Sequence, residues 1–330
     1  MSVATPVTGT GKPARLATER AVAFVAGRRP DAEALGRGLA GLTADPVAFS
    51  ERLRAGLEAL SDRDYLAGQR RVAPGIGPLL GVRWPLIEAV KRGFREATRR
   101  DGTGGWLFLA DRLLRDETLE MRWVAFGLLH RLMRDDPEQT WQLVRRAARE
   151  ANDWITVDAL AHVVGLGILD EPYRWAELEQ LVYSPSPWER RLVGSTIATL
   201  PFVDRRRGRE RAVADRGLAI LRQLIGDHEP AVQKALAWAL RSLVLVDAGA
   251  VESFCESEAV TAAASGDGYR AWVVRDALSK LDPARGAAVR RELEGIRRRP
   301  GAPPTSNAAD VAAQFGQGLL GRPMPEPPLT

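Results

Sequence analysis

Trp154 and Asp158 stand four residues apart in Asn152-Asp153-Trp154-Ile155-Thr156-Val157-Asp158, which makes them neighbours on one face of a helix. The stretch reads as a helix start, with Asn152 or Asp153 as the N-cap. At roughly 100° per residue, Val157, Leu160 and Val164 form its apolar stripe, while Trp154, Asp158 and His162 follow a different one. Asp158 lies too deep in the helix to cap it. A fixed carboxylate beside an electron-rich ring can stabilise a developing cation and position or deprotonate a water. The plainer account makes Asp158 a surface acid or the partner of a nearby arginine, and lets Trp154 pack against the next helix.

Two later stretches repeat the pattern of functional side chains off the apolar stripe. In the segment from Pro230 to Arg241, Val232, Leu236, Ala239, Leu240 and Leu243 cluster within roughly 100°. Trp238 projects away from them, on the side that carries Lys234 and Arg241. In Trp188-Glu189-Arg190-Arg191 the buried side is set by Val193, Ile197 and Leu200. Arg191 projects nearly opposite, among Gly194, Ser195 and Ala198, whose small side chains leave room for a backbone to approach. Arg190 points nearer Ile197. Taken singly, Trp238 reads equally as an inter-repeat packing residue and Arg191 as a solvated charge or inter-repeat salt bridge. Together, two tryptophans, an acid and an arginine occupy non-core faces in successive repeats.

Helical periodicity is expected to position these groups. Residues 1–16 read as a disordered extension and 17–59 as helical. Pro85 suits the first turn of a helix running to about Arg99. From Trp106 onward helices are expected at 106–115, 119–134, 138–150, 154–165, 172–183, 187–200, 215–226, 229–245, 248–257 and 268–281. Their pairs recur at the spacing of two-helix solenoid repeats, so the fold class is all-α, a superhelix of stacked helix pairs whose concave side takes a long ligand. A long connection, 204–216, carries Arg205, Arg206 and Arg207 among six arginines. It reads either as a solvated loop or as a phosphate-contacting insert. Residues 297–330 are rich in Pro, Gly and Ala and read as a flexible tail, with a short helix near 308–320. The ordered domain is accordingly 17–296.

Composition bounds the function. The 330 residues carry 47 Lys and Arg against 42 Asp and Glu, an excess that permits a polyanionic partner without demanding one. Arginine is strongly preferred over lysine, which fits either a GC-rich genome or planar phosphate contacts. One cysteine, Cys255, and three scattered histidines offer no disulfide and no metal-ligand spacing. There is no signal-peptide h-region and no apolar run long enough to span a membrane. A cytoplasmic, monomeric protein without metal or cofactor is expected.

The chain resembles the DNA alkylation repair family of HEAT-like-repeat glycosylases, the AlkD type, over roughly residues 60–245. Four segments carry the resemblance in the family's order. Gly81-Val82-Arg83-Trp84-Pro85 is similar to the GVxxP element and Trp154-Ile155-Thr156-Val157-Asp158 to the W-D-T-V-D element. Trp188-Glu189-Arg190-Arg191 is similar to the W-x-R-R helix start, and the segment Gln233 to Arg241 to the QKAIGWALR helix. Ile155 replaces an acid usual in the second element, and Glu88 stands where a base often follows the first. The resemblance implies a right-handed solenoid with a concave face for double-stranded DNA containing alkylated purines. It implies Asp158 as the catalytic aspartate, Trp154 and Trp238 as the tryptophans that cradle the damaged nucleotide, and Arg191 as the arginine beside the lesion, with Arg190 the other register. Arg190, Lys234, Arg241, Arg205, Arg206 and Arg207 are the expected phosphate contacts. The reaction implied is hydrolysis of the N-glycosidic bond of cationic N3- or N7-alkylpurines, without a tight base-flipping pocket. The competing expectation is a non-catalytic repeat module that binds DNA or a protein.

Overall fold

Aspartate and proline punctuate this chain. Asp45-Pro46, Asp136-Pro137 and Asp282-Pro283 each place a side-chain acceptor at an N-cap and a proline in the first helical turn, where its missing N–H costs nothing. Asp153, Asp247 and Asp267 cap three more helices through their carboxylates. In the computed structural model, which describes residues 11–72 and 75–320, the described residues form sixteen α-helices, six of them started by these aspartates, and no strand occurs among them. The helices are α1 (Gly11–Leu39), α2 (Pro46–Ala59), α3 (Arg63–Val72), α4 (Trp84–Ala97), α5 (Trp106–Leu114), α6 (Leu119–Asp135), α7 (Pro137–Glu150) and α8 (Trp154–Asp170). They continue with α9 (Arg174–Gln180), α10 (Pro187–Val203), α11 (Arg211–Leu224), α12 (Pro230–Leu243), α13 (Ala248–Ser265), α14 (Gly268–Ala277), α15 (Pro283–Glu292) and α16 (Asn307–Leu320).

Packing divides the chain into two units, Met1–Asp135 and Asp136–Thr330. In the first, α1 and α6 flank α4, while α2 packs on α5 and α5 on α6. Phe49 meets the Phe94 ring edge-on at 5.7 Å, and Phe94 meets Trp106 at 4.9 Å. The buried Glu120 of α6 accepts the backbone N–H groups of Leu80, Gly81 and Val82 at 2.7–3.1 Å. It thereby shapes the turn in which Gly81 has φ +78°, and positions the start of α4. In the second unit α8, α10, α12 and α14 stack side by side as one layer. From the other layer α7 packs on α8, α11 on α10 and α12, and α13 on α14. Neither half of a pair buries its own apolar face, so each repeat completes its neighbour.

The all-α repeat architecture agrees with the expectation from periodicity. Several boundaries differ. Helix α1 begins at Gly11, so 11–16 are helical rather than disordered; residues 1–10 lie outside the described residues. Helix α11 begins at Arg211, which shortens the arginine-rich connection to 204–210. Helix α15 has only Gly286 and Val289 buried and so offers no apolar stripe to read. The segment expected to be a flexible tail from 297 is packed on the second unit as far as α16. Thr305 N–H donates to Gly226 O at 2.9 Å, Tyr269 Oη donates to Ala302 O at 2.6 Å, and Arg298 lies over the Trp272 ring at 4.7 Å. Ala308, Ala309 and Ala312 of α16 are buried, and α16 packs on α11. Residues 321–330 lie outside the described residues. No helix among the described residues is long and apolar enough to cross a membrane.

Candidate active site

Asp153 sets the start of α8. Its carboxylate accepts the Thr156 N–H at 2.8 Å and the Thr156 hydroxyl at 2.6 Å. The cap fixes the first turn, so Trp154 stands 41% exposed at the helix start and Asp158 follows one turn later with 20% of its side chain open to solvent. His162, a further turn along, is exposed.

Helix α10 supplies the groups that hold Asp158. Arg191 donates from Nε to Oδ1 at 3.1 Å and from Nη2 to Oδ2 at 2.7 Å, the parallel fork that suits a guanidinium to a carboxylate. Ser195 Oγ, one turn further along α10, donates to Oδ1 at 2.6 Å. The third arm of Arg191, Nη1, donates to the Ala231 carbonyl at 2.6 Å, so the first turn of α12 braces the guanidinium that orients the acid. Arg191 is 5% exposed, and its guanidinium carbon lies 6.0 Å from the Trp154 ring centroid. Asp158 is therefore both an acid off its own helix's core and the partner of an arginine. Arg191 is given to the carboxylate rather than to solvent.

Helices α10 and α12 must come close for this brace to form. A Cβ on Gly194 would lie 2.9 Å from Ala235 C and 3.0 Å from Leu236 N. The backbone that the small face of α10 admits is thus that of α12. Ala231, Lys234 and Trp238 follow one stripe of α12, so Trp238 stands about 10 Å along the helix from the brace, partly exposed, with Lys234 exposed beside it.

The expected phosphate contacts sort into two groups. Arg190 is 3% exposed, and its guanidinium donates to Asp227 at 2.7 Å and to the Ser184 carbonyl at 2.8 Å. It is a buried inter-repeat pair, which corrects its placement among DNA contacts. Arg241 is paired with Asp276. Arg207 straps the 204–210 connection down through Asp204 and Asp170, each at 2.8 Å. Arg205, Arg206 and Lys234 remain exposed. Asp204 also accepts the Arg206 and Arg207 N–H groups. The Arg207 guanidinium and then these N–H groups hold its carboxyl at about 2.

These pairs share a spacing that explains much of the arginine preference. Arg174–Glu138, Arg190–Asp227, Arg191–Asp158, Arg216–Glu179, Arg222–Glu258 and Arg241–Asp276 join residues 33–37 apart, one repeat length. Guanidinium groups tie each repeat to the next, and among these six Arg191 grips its carboxylate with two nitrogens. Both Arg190 and Arg191 have an acid one repeat away, Arg190 forward at Asp227 and Arg191 back at Asp158, so this spacing does not tell the two apart in the sequence.

Among the described residues no three His, Cys, Asp or Glu side chains are placed to hold a metal. No curated protein matches the chain. The family described as DNA alkylation repair enzyme matches residues 53–281, a span that contains Trp154, Asp158, Arg191, Ser195 and Trp238 and stops before α15. The oriented carboxylate between two tryptophan-bearing helices lies inside that match, and the chain belongs to the DNA alkylation repair enzyme family.

Proposed function

We propose that the protein is a DNA glycosylase that excises cationic N3- or N7-alkylated purines from duplex DNA. The observation that carries this reading is the Asp158 carboxylate, held by three donors on α10 yet partly open to solvent beside an exposed tryptophan. Alkylation at N3 or N7 makes the purine a cation and a good leaving group. Breaking the glycosidic bond moves positive charge onto the deoxyribose. A fixed carboxylate stabilises that charge where it develops, at no reorganisation cost. Each carboxylate oxygen has two lone-pair directions. Oδ2 accepts one bond from Arg191, which leaves a direction for the attacking water. The leaving base is already cationic, so one acid suffices where ordinary glycosidases need a pair. The Trp154 and Trp238 faces bracket the sugar and favour the cation.

Arg191 and Ser195 are positioning residues in this scheme. They fix the carboxylate in one rotamer, with Ala231 bracing the arginine from the next repeat. Lys234, Arg205 and Arg206 are the exposed cations available to phosphates. The test is to incubate the protein with methylated duplex DNA and quantify free 7-methylguanine and 3-methyladenine. Release by the wild type that Asp158→Asn abolishes is expected. Salt-dependent duplex binding with no release would instead identify a non-catalytic binding module.

A further inference from the structure

The segment beyond the family match builds a second cationic feature. Residues 282–320 lie outside 53–281, yet they are integral to the second unit. Gln233 of α12 is fully buried, donates from Nε2 to Asp227 O at 2.7 Å and accepts from Arg298 at 2.9 Å. A Cβ on Gly268 of α14 would collide with the Arg297 carbonyl. Residues 297–306 thus form a strap pinned across α12 and α14. The strap starts at an open pocket lined by Arg275 of α14, Arg290 and Arg291 of α15, its own Arg297, and one acid, Glu294.

Four guanidinium groups against one carboxylate is not a self-neutralising arrangement. Arg275 is fixed by donation to the Leu293 and Ile296 carbonyls, so it cannot swing away from Arg297. Burial and then the neighbouring Arg297 hold its guanidinium below its ordinary value. The last-turn position of Arg290 and Arg291 favours the α15 dipole, but that accounts for neither Arg275 nor Arg297. Six arginines elsewhere in this unit meet an acid one repeat away. The pocket departs from that rule.

We propose that Arg275, Arg290, Arg291 and Arg297 form a binding site for a phosphodiester of the DNA duplex, away from the damaged nucleotide. The layer runs α8, α10, α12, α14, and neighbouring helices lie 8–10 Å apart. Three such spacings put α14, and the pocket beside it, on the order of 25–30 Å from Asp158, about seven to nine base pairs at ~3.4 Å each. Arg241 and Asp276 continue the Lys234–Trp238 stripe of α12 onto α14, and Arg275, about 100° further round α14, turns from that stripe toward the turn after α15. A duplex laid along α8 to α14 would bring a backbone phosphate about seven to nine base pairs from the lesion to the pocket. This inference rests on the DNA-processing reading of the Asp158 site.

The test uses the full chain and two duplexes with a central abasic analogue, of 12 and 30 base pairs. At ~3.4 Å per base pair, the short duplex reaches about 20 Å either side of the lesion and the long one about 50 Å. Arg290 and Arg291 are exposed, so Arg290→Ala/Arg291→Ala keeps the fold, checked by circular dichroism. Fluorescence anisotropy against salt reads the affinities. On the long duplex the double variant is expected to lose roughly tenfold at 0.1 M salt and to lower the log–log salt slope by about 2. The short duplex is expected to be unchanged. Equal loss on both duplexes, or no loss on the long one, overturns the pocket. Base release measured in parallel separates the two readings. Release with no effect of the double variant defeats only the pocket. Absence of any duplex binding by the wild type defeats both.

Discussion

Replacing Arg191 by lysine distinguishes a positioning residue from a phosphate contact. Lysine keeps the positive charge but offers a single ammonium in place of a planar fork. Arg191 makes three charge-assisted hydrogen bonds, two to Asp158 and one to the Ala231 carbonyl. A lysine reaching Asp158 keeps one of them. Bonds to charged groups contribute roughly 1.5–3 kcal/mol each, and the Asp158 side of the pair is partly solvated, so the net loss of stability is expected near the low end, about 2–4 kcal/mol. That corresponds to a fall in Tm of several degrees in calorimetry. The catalytic effect follows from geometry. With the bidentate fork gone, Asp158 is held by Ser195 and one ammonium, and its carboxylate can rotate. Loss of an orienting partner typically lowers activity 10- to 100-fold. Single-turnover excision at saturating protein should show that fall in rate, while duplex affinity and its salt slope stay within twofold of wild type. The opposite split would refute the assignment: an unchanged single-turnover rate, with weaker binding and a salt slope reduced by about 1, would make Arg191 a phosphate contact.

Other consequences are open to simple assays. Glu120→Ala leaves the N–H groups of Leu80, Gly81 and Val82 without their buried acceptor, and a loss of about 2–4 kcal/mol is expected in urea unfolding. An unchanged midpoint would show that the turn before α4 does not depend on it. Gly194→Val sets a side chain against the α12 backbone at about 3 Å; a destabilisation of roughly 1–3 kcal/mol in thermal unfolding, with loss of base release, is expected, and wild-type behaviour would mean α10 and α12 are not so closely apposed. Burial, and then Glu258, pushes the Cys255 thiol up to about 12. A disulfide-exchange reagent should therefore not label it at pH 8 unless denaturant is added, and rapid labelling of native protein would contradict its placement.

The architecture was legible in the sequence because it is periodic. Asp153, Pro187 and Pro230 announce the starts of α8, α10 and α12, and the apolar stripes set their buried faces. Placing Trp154 and Asp158 off the core of α8 needed nothing more than the 3.6-residue repeat. The charges were less readable. A cation off an apolar stripe looks alike whether it meets a phosphate or an acid in the next repeat, and Arg190, Arg207 and Arg241 proved to meet acids. Small residues beside Arg191 signalled a close approach but not which backbone approaches. The C-terminal segment is legible in part: the helix expected near 308–320 is α16 (Asn307–Leu320), while the packing of the stretch before it is not readable. Pro- and Gly-rich composition argues against helix, but it does not prevent an extended strap from being pinned by Tyr269, Arg298 and Thr305.

On the proposed reading, Asp158 is the group that makes this protein an enzyme. Asp158→Asn preserves shape, and its amide oxygen can still accept from Arg191, but it removes the negative charge on which the proposed reaction depends. Quantified release of 7-methylguanine and 3-methyladenine from methylated duplex is the most direct measurement. The account predicts that Asp158→Asn binds duplex as the wild type does and releases bases at least 100-fold more slowly, about 2.7 kcal/mol of transition-state stabilisation or more. Equal release by the two proteins would contradict it.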